Sequence, residues 1–251
     1  MDPVTLSLLA LLGLIGGALS GLIGVGGGIF FVPALILVMG YDIRHAVAVS
    51  LVIVIFSSLS GTIRNIGGED RLNTRLTVML SATVAPAALL GVAISRVSPE
   101  RLVEVVFALL LLAMAYPTGK GSSASENAQG LLKLPVLVVI VAGIAIGALS
   151  GLVGVGGGIL MVPLMVLALG VRPKVAIATS LAVAFFTGIV GTAGYVATGF
   201  DDFSSLPPLI LGSIVGAWAS VKVRHRTPDG ALRLIFAAFM VLVAFQLLLG
   251  G

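Results

Sequence analysis

Residues Gly17–Pro33 read GALSGLIGVGGGIFFVP, and Gly147–Pro163, 130 positions later, read GALSGLVGVGGGILMVP. Fourteen of the seventeen positions are identical, and the other three exchange one apolar residue for another. Each copy is an apolar segment that breaks at Gly-Val-Gly-Gly-Gly and then resumes. A fold that accepts this chain must use the same interrupted unit twice. Paired glycine-interrupted apolar segments at corresponding places in two halves point to a transporter binding site near the middle of a membrane.

The solvent of such a chain follows from its charges. Only 10% of residues are charged against 59% hydrophobic, and the mean hydropathy is +1.22. A soluble domain carries about 25% charged residues, so lipid must cover this one. The chain has no cysteine, which excludes disulfides and thiolate chemistry. Its net charge of +4 is no nucleic-acid signal, because the basic residues sit in short loops where they orient spans. The first segment resembles a secretory signal, but it carries Asp2 and no basic start. It also recurs internally at Gly147, so it is read as structure.

Ten helical segments are expected, five per half. The first half gives Pro3–Ile23, a short Ile29–Met39, Arg44–Ile66, Thr74–Val97 and Pro99–Tyr116. The second gives Leu134–Val153, a short Ile159–Leu169, Pro173–Thr198, Leu206–Val223 and Pro228–Leu249. Residues 1–116 and 134–251 form two transmembrane repeats, and the polar, glycine- and serine-rich Pro117–Lys133 is the cytoplasmic linker. About 11 residues of helix rise only about 16 Å, too little for a bilayer core of about 30 Å. Each long–short pair therefore reads as a hairpin that enters and returns, followed by three full spans. An odd number of crossings per half makes the repeats inverted. The fold class is an all-α polytopic membrane protein built from two inverted five-segment repeats.

The basic residues weigh this against the alternative. In the inverted arrangement eleven Lys and Arg lie on one side, and Arg44, Arg96 and Arg101 on the other. If each hairpin pair crossed once, the split would be nine against five. The positive-inside rule prefers the stronger asymmetry. Both termini and Asp201–Asp202 then lie outside a bacterial inner membrane.

The glycine runs carry the binding expectation. Glycine lets backbone leave a helix without a side-chain penalty, and each run precedes the N-terminus of a short helix. Free N–H groups and the helix dipole there can hold an anion. The expected substrate-binding residues are Gly26, Gly27, Gly28, Gly156, Gly157 and Gly158. Among the hydroxyls of the long third helices (Ser50, Ser57, Ser58, Ser60, Thr62; Thr179, Ser180, Thr187, Thr192), the deepest join them: Ser50, Ser57, Ser180 and Thr187. Hydroxyls in apolar helices also bond their own backbone, and that reading stays open. Gly17-xxx-Gly21, Gly147-xxx-Gly151 and Gly212-xxx-Gly216 are read as packing seams.

Arg64 is a candidate for attracting anions at the cytoplasmic mouth, with an interfacial anchor as its alternative. Glu104 suits the start of its helix, and His45 and His225 read as interface residues. The glycine run is no nucleotide fingerprint, since Ile29 stands where GxGxxG needs glycine and no GxxxxGK[ST] occurs. No catalytic triad or metal-ligand cluster can be assembled, so no enzyme activity, metal or cofactor is expected.

With these motifs in hand, the chain resembles the sulfite exporter TauE/SafE (TSUP) family. The resemblance rests on GLIGVGGGIFFVPAL at Gly21–Leu35, its repeat GLVGVGGGILMVPLM at Gly151–Met165, and A-x-A-x-S-L at Ala46–Leu51 and Ala176–Leu181. It implies transport of sulfur-containing oxyanions or organic acids such as sulfite, thiosulfate or organosulfonates of the sulfoacetate type without fixing direction, and the favoured reading is a secondary transporter, working as an exporter by alternating access around the glycine site. The alternatives are a passive anion channel or a carboxylate transporter with the same site, and a non-transporting membrane scaffold. The expected partners are a small anionic substrate and the lipid bilayer, with oligomeric state left open.

Overall fold

A computed structural model of the protein describes residues 3–24, 26–66, 72–120, 136–223 and 229–249. All regular elements among these are helical: α1 (Pro3–Ile23), α2 (Gly28–Met39), α3 (Ile43–Ile66), α4 (Thr74–Val97), α5 (Glu100–Lys120), α6 (Val136–Val153), α7 (Gly158–Pro163), α8 (Pro173–Ala197), α9 (Leu206–Val223) and α10 (Asp229–Leu249). Local chemistry places several of the ends. The Asp42 carboxylate accepts the His45 amide at 2.9 Å as α3 begins. The Asn73 side chain accepts the Leu76 amide at 3.0 Å and caps α4. Gly40, at φ +68°, closes α2.

Two elements depart from the sequence expectation. Helix α5 runs to Lys120, four residues into the expected linker, and 121–133 lies outside the described residues, as do Arg71, Lys133, Arg224, His225 and Arg226. The second short segment, expected as one helix from Ile159 to Leu169, is α-helical only over Gly158–Pro163. It then widens into a π-helical turn, Leu164–Ala168. There the Leu169 amide reaches the Leu164 carbonyl at 3.2 Å, and Val171 reaches Met165 at 2.8 Å. The counterpart Pro33 sits inside a regular helix, so proline alone does not account for the widening.

Among the described residues, α1, α3, α4 and α8 are long and apolar enough to cross a membrane. Helices α3 and α8 form the centre and face each other, with 72% and 61% of their apolar windows buried against 33% for α1. Helix α1 packs along α9, and α4 packs along α6. The first helix of each half thus lies against the fourth helix of the other, while α5 pairs with α10. Without a hydrophobic force between helices in lipid, close backbone approach provides the packing. The glycine seams do this. A Cβ on Gly17 would overlap the Ser213 carbonyl, one on Gly147 that of Val84, and one on Gly216 that of Leu14. Large apolar side chains such as Leu11, Val141, Leu90 and Leu211 face outward.

The connecting segments gather at two ends. At one, Arg44 Nη2 donates to the Ser98 carbonyl at 2.5 Å, and His45 Nε2 stands 3.4 Å from Asp202 Oδ2. Arg101 donates there to the carbonyls of Leu247 and Leu248 at 2.7 and 2.6 Å, and pairs with Glu104 at 3.2 Å. At the other end, the Arg64 guanidinium lies 4.6 Å above the centre of the Trp218 ring. The Asn73 amide donates to Thr179 Oγ1 at 3.0 Å on the same side.

Candidate functional site

The chain leaves α1 after Ile23 and α6 after Val153 through matching turns. Gly24, Gly26 and Gly27 have φ of +78°, +78° and +86°, and Gly154, Gly156 and Gly157 have +75°, +71° and +78°. An L side chain in this left-handed region costs about 1–2 kcal/mol per residue, which is why both turns are written in glycine. Helices α2 and α7 then start at Gly28 and Gly158. Their N-caps, Gly27 and Gly157, offer no side chain to the first amides. The Gly27 carbonyl accepts Phe30 and Phe31 at 2.9 and 3.0 Å, and the Gly157 carbonyl accepts Met161 at 3.2 Å.

The two turns lie against each other in the interior. A Cβ on Gly28 would overlap the Gly154 carbonyl and stand 2.6 Å from Val155 Cα. One on Gly26 would lie 3.1 Å from Val54 Cγ1 and 3.4 Å from Ala184 Cβ, and one on Gly156 would lie 2.6 and 3.6 Å from the same two atoms. Gly26, Gly27, Gly28, Gly156, Gly157 and Gly158 are all buried. Gly26 and Gly156 thus meet the same two side chains between α3 and α8, whereas Gly27 faces Gly16 and Phe31, and Gly157 faces Val84, Ile146 and Ser150.

Hydroxyls hold the turns from both central helices. Ser50 on α3 donates to the Gly154 carbonyl at 2.8 Å, and Ser180 on α8 donates to the Gly24 carbonyl at 2.6 Å. Ser57 donates to the Gly26 carbonyl at 2.8 Å. Thr187, the counterpart of Ser57, donates instead to Val183 on its own helix at 2.9 Å. Three of the four expected hydroxyls thus bind the glycine turns, with their protons on backbone carbonyls, and the fourth does not. Arg64 is at the Trp218 end and exposed, away from the glycines.

The expected set omitted Ser20, Ser58 and Ser150. Each is buried with its hydroxyl unpartnered. Ser58 Oγ lies 3.2 Å from where a Gly26 Cβ would be, and Ser150 Oγ lies 3.8 Å from that of Gly157. Ser20 and Ser150 are the same serine of the duplicated GALSG, so the repeat itself was the signal. Buried unpaired hydroxyls cost free energy, and those of Ser58 and Ser150 stand beside the glycine turns that lead into α2 and α7. That array of donors suits a small anion.

Sequence comparison agrees with a membrane setting. The family described as Sulfite exporter TauE/SafE matches residues 9–247. A probable membrane transporter protein of Bacillus subtilis, YunE, is 26% identical over 267 residues, covering 97% of each chain. One from Haemophilus influenzae is 29% identical, covering 95% of this chain and 96% of that one. Sulfite exporter TauE/SafE family protein 5 of Arabidopsis thaliana is 35% identical over 89 residues, 35% of this chain and 20% of that one. No solved structure matches.

Proposed function

This chain belongs to the sulfite exporter TauE/SafE family of membrane transporters, and from that premise we propose that it is a secondary transporter, working as an exporter, of small sulfur-containing anions such as sulfite, thiosulfate or organosulfonates. Its substrate site is the meeting point of the two glycine turns. One observation carries the reading: the two turns meet in the interior where they begin helices without side-chain caps, and each is bonded by a serine of the other half. Irregular backbone at membrane depth is tolerated where it is buried in protein or lines a cavity. Amide donors and the α2 dipole attract negative charge without a buried Lys or Arg.

The contact of His45 with Asp202 supports inverted repeats. Those residues share a side in the inverted arrangement and lie on opposite sides of a core of about 30 Å in the parallel one. The reciprocal packing of α1 on α9 and α6 on α4 supports a two-fold relation between the halves, and alternating access then works around the turns where they meet. A negative-inside potential favours anion expulsion by about 2.3 kcal/mol per charge per 100 mV, which supports export across a bacterial inner membrane.

The test is reconstitution into liposomes with radiolabelled sulfite, thiosulfate and sulfoacetate, and simple carboxylates as controls. A carrier gives flux that saturates with substrate, and Gly157→Leu removes it while the protein still folds. Linear, non-saturating flux would replace the carrier with a channel. No flux of any sulfur anion would reject the reading.

A further inference from the structure

A cavity of about 350 Å³ opens at the His45–Asp202 end of the bundle, apart from the glycine turns. Three stretches far apart in sequence build it: the entry to α3 with Asp42, Arg44 and His45, the end of α4 with Ser95 and Arg96, and the end of α8 with Tyr195 and, just beyond it, Phe200. Its size falls within the range of small-molecule pockets, about 300–1,000 Å³.

The charges of this cavity are unevenly committed. Arg96 is exposed and forms no ion pair among the described residues. Arg44 uses Nη2 on the Ser98 carbonyl and stands 3.9 Å from Glu100, but its Nε is buried without a partner. One carboxylate, Asp42, lines the cavity itself, and it and Asp202 are engaged by neighbouring donors. Asp42 accepts the His45 amide. Asp202 accepts the Ser204 hydroxyl at 2.7 Å and the Ser204 amide at 3.1 Å. Guanidinium groups present forked donors that match oxyanions. At the floor, the Tyr195 hydroxyl lies 3.2 Å from both Ser95 Oγ and the Gly151 carbonyl. Gly151 lies three residues before Gly154, on the stretch of α6 that leads into the second turn.

We propose that this cavity is a second anion site, a vestibule in which Arg96 and Arg44 hold a small sulfonate or sulfur oxyanion above Tyr195. The proposal deepens the transporter reading and rests on it for the class of anion. The vestibule concentrates substrate at one end of the path, and Tyr195 joins its floor to the chain segment entering the glycine turn.

The test places a reporter inside the cavity. Trp218, the sole tryptophan, lies at the opposite end, so Trp218→Phe clears the background and Phe200→Trp puts an indole in the vestibule wall. Full-length protein in detergent is titrated with sulfite, thiosulfate and sulfoacetate. The emission is expected to change saturably with at least one of the three and to do so equally in a Gly157→Leu background. Arg96→Gln is expected to weaken that response at least tenfold, and Arg96→Lys to recover part of it. Because Arg96 is exposed and unpaired, its loss leaves folding intact. Absence of a saturable response to all three anions overturns the vestibule, as does an Arg96→Gln protein that titrates like its parent. A response lost in Gly157→Leu but kept in Arg96→Gln also overturns it, while leaving the central site standing. A response kept in Gly157→Leu and lost in Arg96→Gln, with transport intact in Gly157→Leu, retains the vestibule and removes the central site.

Discussion

Ser50 on α3 donates its hydroxyl proton to the carbonyl of Gly154, 2.8 Å away in the other half of the chain. Ser180 returns the same bond to Gly24 at 2.6 Å. Each half therefore fastens the chain break of the other. A buried carbonyl that loses its partner costs about 1–3 kcal/mol. Ser50→Ala and Ser180→Ala should each lower stability by about that much, read as unfolding in detergent. Thr187→Val removes only a bond within α8 and should cost about 1 kcal/mol or less. Equal costs for Ser50→Ala and Thr187→Val would show that the cross-half bonds do not hold the breaks.

The glycines of the two turns should not be equivalent. A Cβ on Gly28 meets the Gly154 and Val155 backbone, which cannot give way as a flexible side chain would. Gly28→Ala should therefore abolish folded yield on size-exclusion of detergent extracts. A Cβ on Gly157 would meet only Val84, Ile146 and Ser150 at 3.5–3.8 Å. Gly157→Ala has room and bears only the left-handed backbone cost of about 1–2 kcal/mol. It should fold, with a lowered melting temperature. A Gly28→Ala protein as stable as Gly157→Ala would mean the turns do not touch.

The readable parts of this molecule are those fixed by local pattern. Helix α4 is bounded by Asn73 and Ser98 around an apolar run, and its ends match the sequence expectation. The glycine turns were legible because duplicated triple glycines have no good use inside a helix. Hydroxyl partners were less so. Ser57 and Thr187 occupy corresponding places, yet one reaches a glycine turn and the other its own backbone. Threonine readily bonds the carbonyl four residues back, and only three-dimensional proximity selects between the two. Arg44, Arg96 and Tyr195 come from three separate segments, so no window of sequence could have joined them.

Arg64 and Trp218 offer a separate test at the opposite end. The guanidinium sits 4.6 Å over the indole, a contact worth about 0.5–1 kcal/mol at an exposed site. Arg64→Gln should change the emission of the sole tryptophan while lowering stability by no more than that. If Arg64 also gathers anions for the path, liposome flux should show a raised KM with unchanged maximal rate. That pattern separates collection from a role in the transport step. Unchanged KM leaves Arg64 as an anchor alone.

Topology can be read directly, because the chain has no cysteine and each introduced thiol is the sole target. The His45–Asp202 and Arg44–Ser98 contacts place Glu100 and Asp201 at one end, and Lys174 belongs to the segment entering α8 from the other. Inverted repeats predict that an impermeant maleimide on intact cells labels Glu100→Cys and Asp201→Cys alike. Lys174→Cys should react only after the membrane is opened. Parallel repeats would instead group Glu100 with Lys174 and leave Asp201 on the far side. The three variants thus give opposite groupings under the two arrangements. Joint protection of positions 100 and 174 would reject the inverted fold, and with it the meeting of two oppositely directed glycine turns on which the anion site depends.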